Sequence, residues 1–182
     1  MSHVATRTSR PSTEDVWAAL EVLSDPEIPV VTLREMGILR DVRLEGDEVE
    51  VVITPTYSGC PAMEQIHDDI VRTVQALGVA VRVTTQLAPA WTTDWMTPHA
   101  RDKLRDYGIA PPAQCSHAAP DANGASSIVL QFASKAVARD VVPCPHCNSH
   151  DTTETSHFGS TACKSLYKCL TCLEPFDYFK PY

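Results

Sequence analysis

The chain is predicted to be an α+β protein: a small mixed sheet in α-β-β-α-β order, followed by a β-rich module closed around a metal ion. Three observations predict it. In the first half, apolar residues at helical spacing alternate with short runs at strand spacing. A glycine-centred turn, Glu45-Gly46-Asp47-Glu48, separates the first two strand-like runs. Two C-x-x-C pairs, Cys144/Cys147 and Cys169/Cys172, stand near the C-terminus.

Residues 1–11 form a polar tail. Ser12 is a plausible N-cap, with Asp15 three residues later in the capping-box position. Val16, Trp17, Leu20 and Leu23 then recur at helical spacing. Asp25-Pro26 is expected to end this helix, because proline restricts the residue before it. Residues 38–44 and 49–54 read as a hairpin. The loop from Thr54 to Cys60 leads to Pro61, at a natural first helical position. Met63, Ile66, Ile70, Val74 and Leu77 make one apolar stripe, and Gly78 stops the helix. Val79, Val81 and Val83 alternate as a third strand, reached by a crossover expected to be right-handed. Trp91 and Trp95 precede a short charged helix that Gly108 closes. The first domain is therefore residues 12–110, and a Pro/Ala/Gly/Ser-rich linker covers 111–126. A zinc-ribbon domain follows over 127–182, opening with a short strand at 127–132.

The 182 residues suit one ordinary domain plus a small one, and 43% hydrophobic with 21% charged residues is a globular composition. No apolar run approaches the roughly 20 residues of a membrane span. The first residues lack the apolar core of a signal peptide, so a cytoplasmic protein without a membrane partner is expected. In a reducing compartment, an odd count of seven cysteines reads as metal ligands rather than disulfides. A net charge of -8 offers no footprint for nucleic acid.

Four thiolates at this spacing close a tetrahedral S₄ site, whose usual occupant is a structural Zn²⁺; an iron–sulfur centre and a redox dithiol are the competitors. His146, His150 and His157 lie nearby, but Cys144, Cys147, Cys169 and Cys172 already complete the set. Tyr167, Phe176, Tyr178 and Phe179 would give the ribbon an aromatic face for a protein partner. Cys163, beside Lys164, reads either as a reactive thiol or as a buried small hydrophobe.

Cys60 stands directly before Pro61 and the amphipathic helix, where unpaired N–H groups and the helix dipole would lower a thiol's pKa. Such a thiolate suits a metal, a cluster or nucleophilic chemistry. Thr54, Thr56, Tyr57 and Ser58 add hydroxyls, and Asp25 and Glu27 could supply an acidic partner. His67 reads as a surface or core residue rather than a base.

Asp25-Pro26-Glu27-Ile28-Pro29-Val30, Glu35-Met36-Gly37 and Thr54-Pro55-Thr56-Tyr57-Ser58-Gly59-Cys60-Pro61-Ala62 resemble the MIP18 (DUF59) family of iron–sulfur assembly factors, over about residues 16–87. Glu35-Met36-Gly37 departs from the more usual Asp-Leu-Gly. The resemblance implies the fold just read and a role in maturing iron-containing centres. Cys60 would be the family's characteristic cysteine and Asp25 and Glu27 its acidic motif, with Thr56 alongside as candidates for transient iron or cluster binding.

Longer strings are similar to the PaaD family, the D subunits of bacterial phenylacetyl-CoA epoxidase systems. They are the 54–62 loop, residues 89–98, Tyr107 to Pro112, Phe158-Gly159-Ser160-Thr161-Ala162-Cys163-Lys164 and Pro175 to Lys180. This implies an accessory of aerobic phenylacetate degradation, without catalytic activity alone, whose partners are the oxygenase and reductase subunits. Residues 125–142 form a longer stretch than that family leads one to expect. Two alternatives stand beside this reading: an integral oxygenase component acting on phenylacetyl-CoA, and a docking adaptor with no metal-transfer role. The sequence shows no nicotinamide fingerprint and no flavin motif to favour the first. A cluster shared by two Cys60 thiolates would require a homodimer.

Overall fold

A computed structural model of the chain describes residues 10–112 and 141–182. The expected strand at 127–132, the linker beyond Pro112 and most of the 125–142 stretch lie outside the described residues.

Helix α1 spans Thr13–Leu20 and begins with the capping box: the Ser12 N–H donates to Asp15 Oδ2 at 2.8 Å, and the Asp15 N–H donates to Ser12 Oγ at 3.2 Å. It ends earlier than Asp25-Pro26 suggested. The backbone beyond Leu20 is claimed by a different partner, because the Asp25 N–H donates to the Val31 carbonyl at 3.0 Å and the Leu33 N–H to the Leu23 carbonyl at 2.8 Å. Residues 23–33 thus close into a loop of their own, and Leu23 leaves the helix.

Strands β1 (Leu39–Glu45) and β2 (Glu48–Ile53) pair antiparallel across the Gly46-Asp47 turn, where Gly46 takes φ +55°. Helix α2 spans Met63–Gln75 and buries Ile66, Ile70 and Val74 of the expected stripe. Strand β3 (Ala80–Thr85) pairs parallel with β2, which places β2 in the centre of a three-stranded mixed sheet. Val49, Val51 and Ile53 of β2 join the core with α1 and α2, so the helices share one face of the sheet. On the other face Glu50, only 6% exposed, accepts from Arg82 at 2.9 Å and from the Thr84 hydroxyl at 2.8 Å.

A 3₁₀ turn over Thr93–Trp95 and helix α3 (Pro98–Asp106) follow, the helix capped by the Thr97 hydroxyl. Strand β4 (Ile109–Ala110) then pairs parallel with β7 (Pro175–Phe179) in a second sheet of order β4-β7-β6-β5, with β5 at Thr152–Ser156 and β6 at Lys164–Cys169. The last two residues of the expected first domain are therefore built into the ribbon's sheet.

The ribbon's aromatic residues do not form a free face. Phe176 and Tyr178 point to one side of β7 and close a small core with Val142, Cys144 and Cys169. Phe179, on the other side, is 1% exposed and enters the core of the first domain beside Trp91, ring centroids 6.0 Å apart. The two-residue period of a strand splits the aromatic run between two cores. Among the described residues no helix is long and apolar enough to cross a membrane.

Gly37 braces this arrangement. It takes φ +72°, and a Cβ there would lie 2.7 Å from Trp95 Cβ. Gly46 also has a positive φ but meets nothing within 4 Å. Gly37→Ala should therefore cost about 3–4 kcal/mol, from both strain and overpacking, and Gly46→Ala only about 1 kcal/mol from strain. Urea unfolding of the two variants checks this; equal losses would show that contact with Trp95 is unimportant.

Candidate metal and cargo sites

The ribbon gathers the four expected cysteines. The sulfurs of Cys144, Cys147, Cys169 and Cys172 all lie within 4.8 Å of one another. The Cys144–Cys172 and Cys147–Cys169 separations are 3.8 and 3.6 Å. A tetrahedral zinc with Zn–S bonds of about 2.3 Å spaces its sulfurs by ~3.8 Å, so the donor set fits the ion. The two knuckles have the same build. Each ends four residues after its first cysteine on a left-handed residue, Asn148 at φ +59° and Leu173 at φ +66°. The Cys172 N–H donates to Cys169 Sγ at 3.4 Å, and this bond leads the effects that bring the Cys169 thiol down to about 6. His146 lies against Gly108 and His157 pairs with Glu154 at 3.0 Å; neither belongs to the sulfur tetrad.

The second site forms around Cys60. Helix α2 starts at Met63 with Ala62 as its cap, so Pro61 precedes the first turn and Cys60 lies outside the helix. The expected lowering of the Cys60 pKa is not found. Burial pushes the thiol up; the Ala62 N–H and the Thr56 hydroxyl pull it down, while the carboxylates of Glu27 and Asp25 add to the rise. Those two carboxylates are the acidic pair expected from the sequence, and both lie near enough for their charge to act on Cys60. Asp25, 8% exposed, shapes its own loop: its Oδ1 accepts the N–H groups of Glu27 at 2.8 Å and Ile28 at 2.9 Å. Burial raises the pKa of both acids, each against the nearby positive charge of Lys164.

Lys164 plays a different part from the one its sequence position suggests. Its side chain is 6% exposed and stands 3.5 Å from Asp177. Adjacency predicts that it activates Cys163, yet burial outweighs it and the Cys163 thiol is raised, not lowered. Its charge also reaches Asp25 and Glu27, well over a hundred residues away in sequence, where no spacing rule could have found it. Tyr57 belongs to the same neighbourhood: burial, then Cys60, Cys163, Glu27 and Tyr182, push its hydroxyl up to about 12. At the start of the loop, Thr54 Oγ1 is buried without a hydrogen-bond partner, at a typical cost of about 1–3 kcal/mol. His67 sits apart on α2, half exposed beside Asp68 at 3.3 Å. A surface cleft lined by Arg10, Asp47, Leu77 and Ala80 lies at the other end of α2, about 20 Å along the helix, and holds none of the candidate residues.

Both raised thiols stay protonated at neutral pH and ionise only above the range of the unfolded chain. Alkylation of Cys60 and Cys163, followed by peptide mapping between pH 6 and 10, should be slow at pH 7 and rise with midpoints above that of denatured protein. A midpoint below it at Cys60 would restore the helix-dipole expectation.

Residues 13–85 match the family profile described as "Iron-sulfur cluster assembly protein", and residues 131–180 match "PaaD zinc beta ribbon domain". The chain is 46% identical over 174 residues to the Escherichia coli protein named as the D component of 1,2-phenylacetyl-CoA epoxidase, covering 93% of both chains. It is 33% identical over 94 residues to a Porphyromonas gingivalis "Fe-S protein maturation auxiliary factor", covering 50% of this chain and 89% of that one. A crystal structure of a DUF59 domain from Bacillus anthracis aligns with TM-score 0.47 at 25% identity, over 50% of this chain and 90% of its own. By its likeness along nearly its whole length, the chain belongs to the PaaD family of phenylacetyl-CoA epoxidase components, with an iron–sulfur cluster assembly domain joined to a PaaD zinc ribbon.

Proposed function

We propose that this chain is an accessory component of a phenylacetyl-CoA epoxidase system that holds iron, as the ion or as an iron–sulfur unit, at Cys60 and passes it to the oxygenase or the reductase. The observation that carries this reading is the convergence of Cys60, Thr56, Asp25 and Glu27 within a domain that matches iron–sulfur assembly proteins. A thiolate beside carboxylates is a donor set suited to iron. In the cargo-free chain Cys60 is a neutral thiol, so uptake is coupled to loss of its proton. The half-buried position shields the sulfur while leaving it reachable by a recipient. The zinc of the ribbon is structural in this reading, because four thiolates leave it no open position.

Two measurements test these roles. Epoxidase subunits produced together with the Cys60→Ser variant should contain several-fold less iron than those produced with the unaltered chain, with equal amounts of each subunit. Full iron in the recipient would remove the maturation role and leave the docking-adaptor reading. For the ribbon, the purified chain should carry one zinc per tetrad and Cys172→Ser should lose it. Zinc supplies on the order of 10 kcal/mol of folding free energy to such modules. Since Phe179 and Cys163 belong to the core of the first domain, thermal unfolding of Cys172→Ser should shift downward for both domains, not the ribbon alone. An unshifted first-domain transition would show that the two domains fold independently.

A further inference from the structure

We propose that the rim of the ribbon sheet carrying Phe158, Leu166, Lys168 and Lys180 is a docking surface for a protein partner, one whose own surface sets carboxylates around an apolar pocket. This inference rests on the chain being an accessory that meets an epoxidase subunit, and it names the part of the chain that makes the meeting.

Strand alternation defines the face. Lys164, Leu166 and Lys168 of β6 stand opposite Phe179, Asp177 and Pro175 of β7, so all six point to one side of the sheet. The other side is the ribbon's own core, with Phe176, Tyr178 and Cys169. At one end of the face Phe179 enters the core of the first domain and Lys164 is buried. At the other end Leu166 and Lys168 are exposed.

The turn after β5 brings Phe158 to the same rim. Ser156 is the register partner of Leu166; its hydroxyl accepts the Phe158 N–H at 3.3 Å and donates to the Phe158 carbonyl at 2.8 Å. A Cβ on Gly159, the next residue, would lie 3.1 Å from Asp177 Oδ1, so the turn crosses this face. Phe158 is nevertheless 64% exposed. Its ring is held in that position. The Lys180 ammonium stands 4.6 Å from the ring centroid and donates to the His157 carbonyl at 3.2 Å, and the His157 ring meets the phenyl edge-on at 5.1 Å. An aromatic side chain already ordered in water loses little further freedom when a partner takes it up.

Charge selects the partner. Among the described residues neither Lys168 nor Lys180 has a carboxylate partner, whereas Arg43 and Arg82 on the sheet of the first domain are each neutralised by acids. The acids on this part of the ribbon are engaged: Glu154 with His157 at 3.0 Å and Asp177 with Lys164 at 3.5 Å. The net negative charge of the chain lies in the first domain. An acidic surface is therefore repelled by one domain and drawn to the other, which sets the end of the chain that it meets. Its apolar pocket would take Phe158 and Leu166, and its carboxylates the two ammonium groups.

The test uses the full, zinc-loaded chain and the purified oxygenase and reductase subunits, with dissociation constants read by calorimetry. Phe158→Ser, and Lys168→Gln combined with Lys180→Gln, should each weaken binding to a subunit at least about tenfold, with zinc content and melting temperature unchanged. Val22→Ser removes an exposed apolar side chain from the first domain and should bind as the unaltered chain does. Affinity should fall as salt rises from about 50 to 300 mM, and fall less for the lysine variant. Unaltered affinity in both the Phe158 and the lysine variants would overturn the docking surface and leave the accessory role standing. An equal loss in Val22→Ser would overturn it too, as unspecific apolar contact. Binding of neither subunit by the unaltered chain would overturn both. If Phe158→Ser loses zinc, the lysine variant decides. Sedimentation of the chain alone is the last arm: self-association abolished by Phe158→Ser would make a second copy the occupant and overturn the proposal.

Discussion

Trp91 is 4% exposed, donates its indole N–H to the Met36 carbonyl at 2.9 Å, and turns its ring to Phe179 and Tyr182. The remainder of the architecture depends on this packing. Burying an indole is favourable only if its N–H keeps a partner, since an orphaned donor costs about 1–3 kcal/mol. The Glu35-Met36-Gly37 segment supplies that partner and several other contacts. Its Glu35 carbonyl accepts the Thr97 N–H at 2.9 Å, its Glu35 carboxylate takes Lys103 at 2.9 Å, and its glycine gives way to Trp95. The Trp-rich segment and α3 are thereby clamped to the first domain, and the ring of Trp91 becomes the seat for the end of the ribbon.

That seat links two sites that would otherwise be independent. The metal tetrad organises β5, β6 and β7, and the ends of those strands carry Cys163, Lys164 and Phe179 to the seam. A ribbon of this size has too little core to hold those positions without its ion. A metal held by the four cysteines would therefore act at a distance, by fixing the strands whose ends enter the core of the first domain. The electrostatics follow from the same packing. Two carboxylates and two thiols share a region of low exposure, all with raised pKa values, and Lys164 is the cation set among them.

Much of the first domain was legible in sequence because its signals are local. The Ser12/Asp15 box, the Glu45–Glu48 turn and the Ile66/Ile70/Val74 stripe each act within a few residues, and each appears where the pattern put it. The misreadings came where a distant partner overrode a local rule. Helix α1 stops early because Val31 and Leu33 capture the backbone beyond it. The ribbon's aromatics resemble a docking face in sequence, but β7 lies between two cores, each taking alternate side chains. The place of Cys60 just before a helix points to a lowered pKa, but the burial and the carboxylates that raise it arrive from loops elsewhere in the chain.

Sequence alone determined the element order of the first domain, the four-sulfur set of the ribbon and the identity of Cys60, Asp25, Glu27 and Thr56 as candidates. Those are properties of spacing and side-chain chemistry along a few turns or one knuckle. Only the tertiary structure decided that residues 25–27, 57–60 and 163–164 share one seam, that β4 belongs to the ribbon's sheet, and that both seam thiols are held protonated. Proximity across the chain and the loss of water around a group are set by how the two domains pack, and periodicity within a segment carries no record of either.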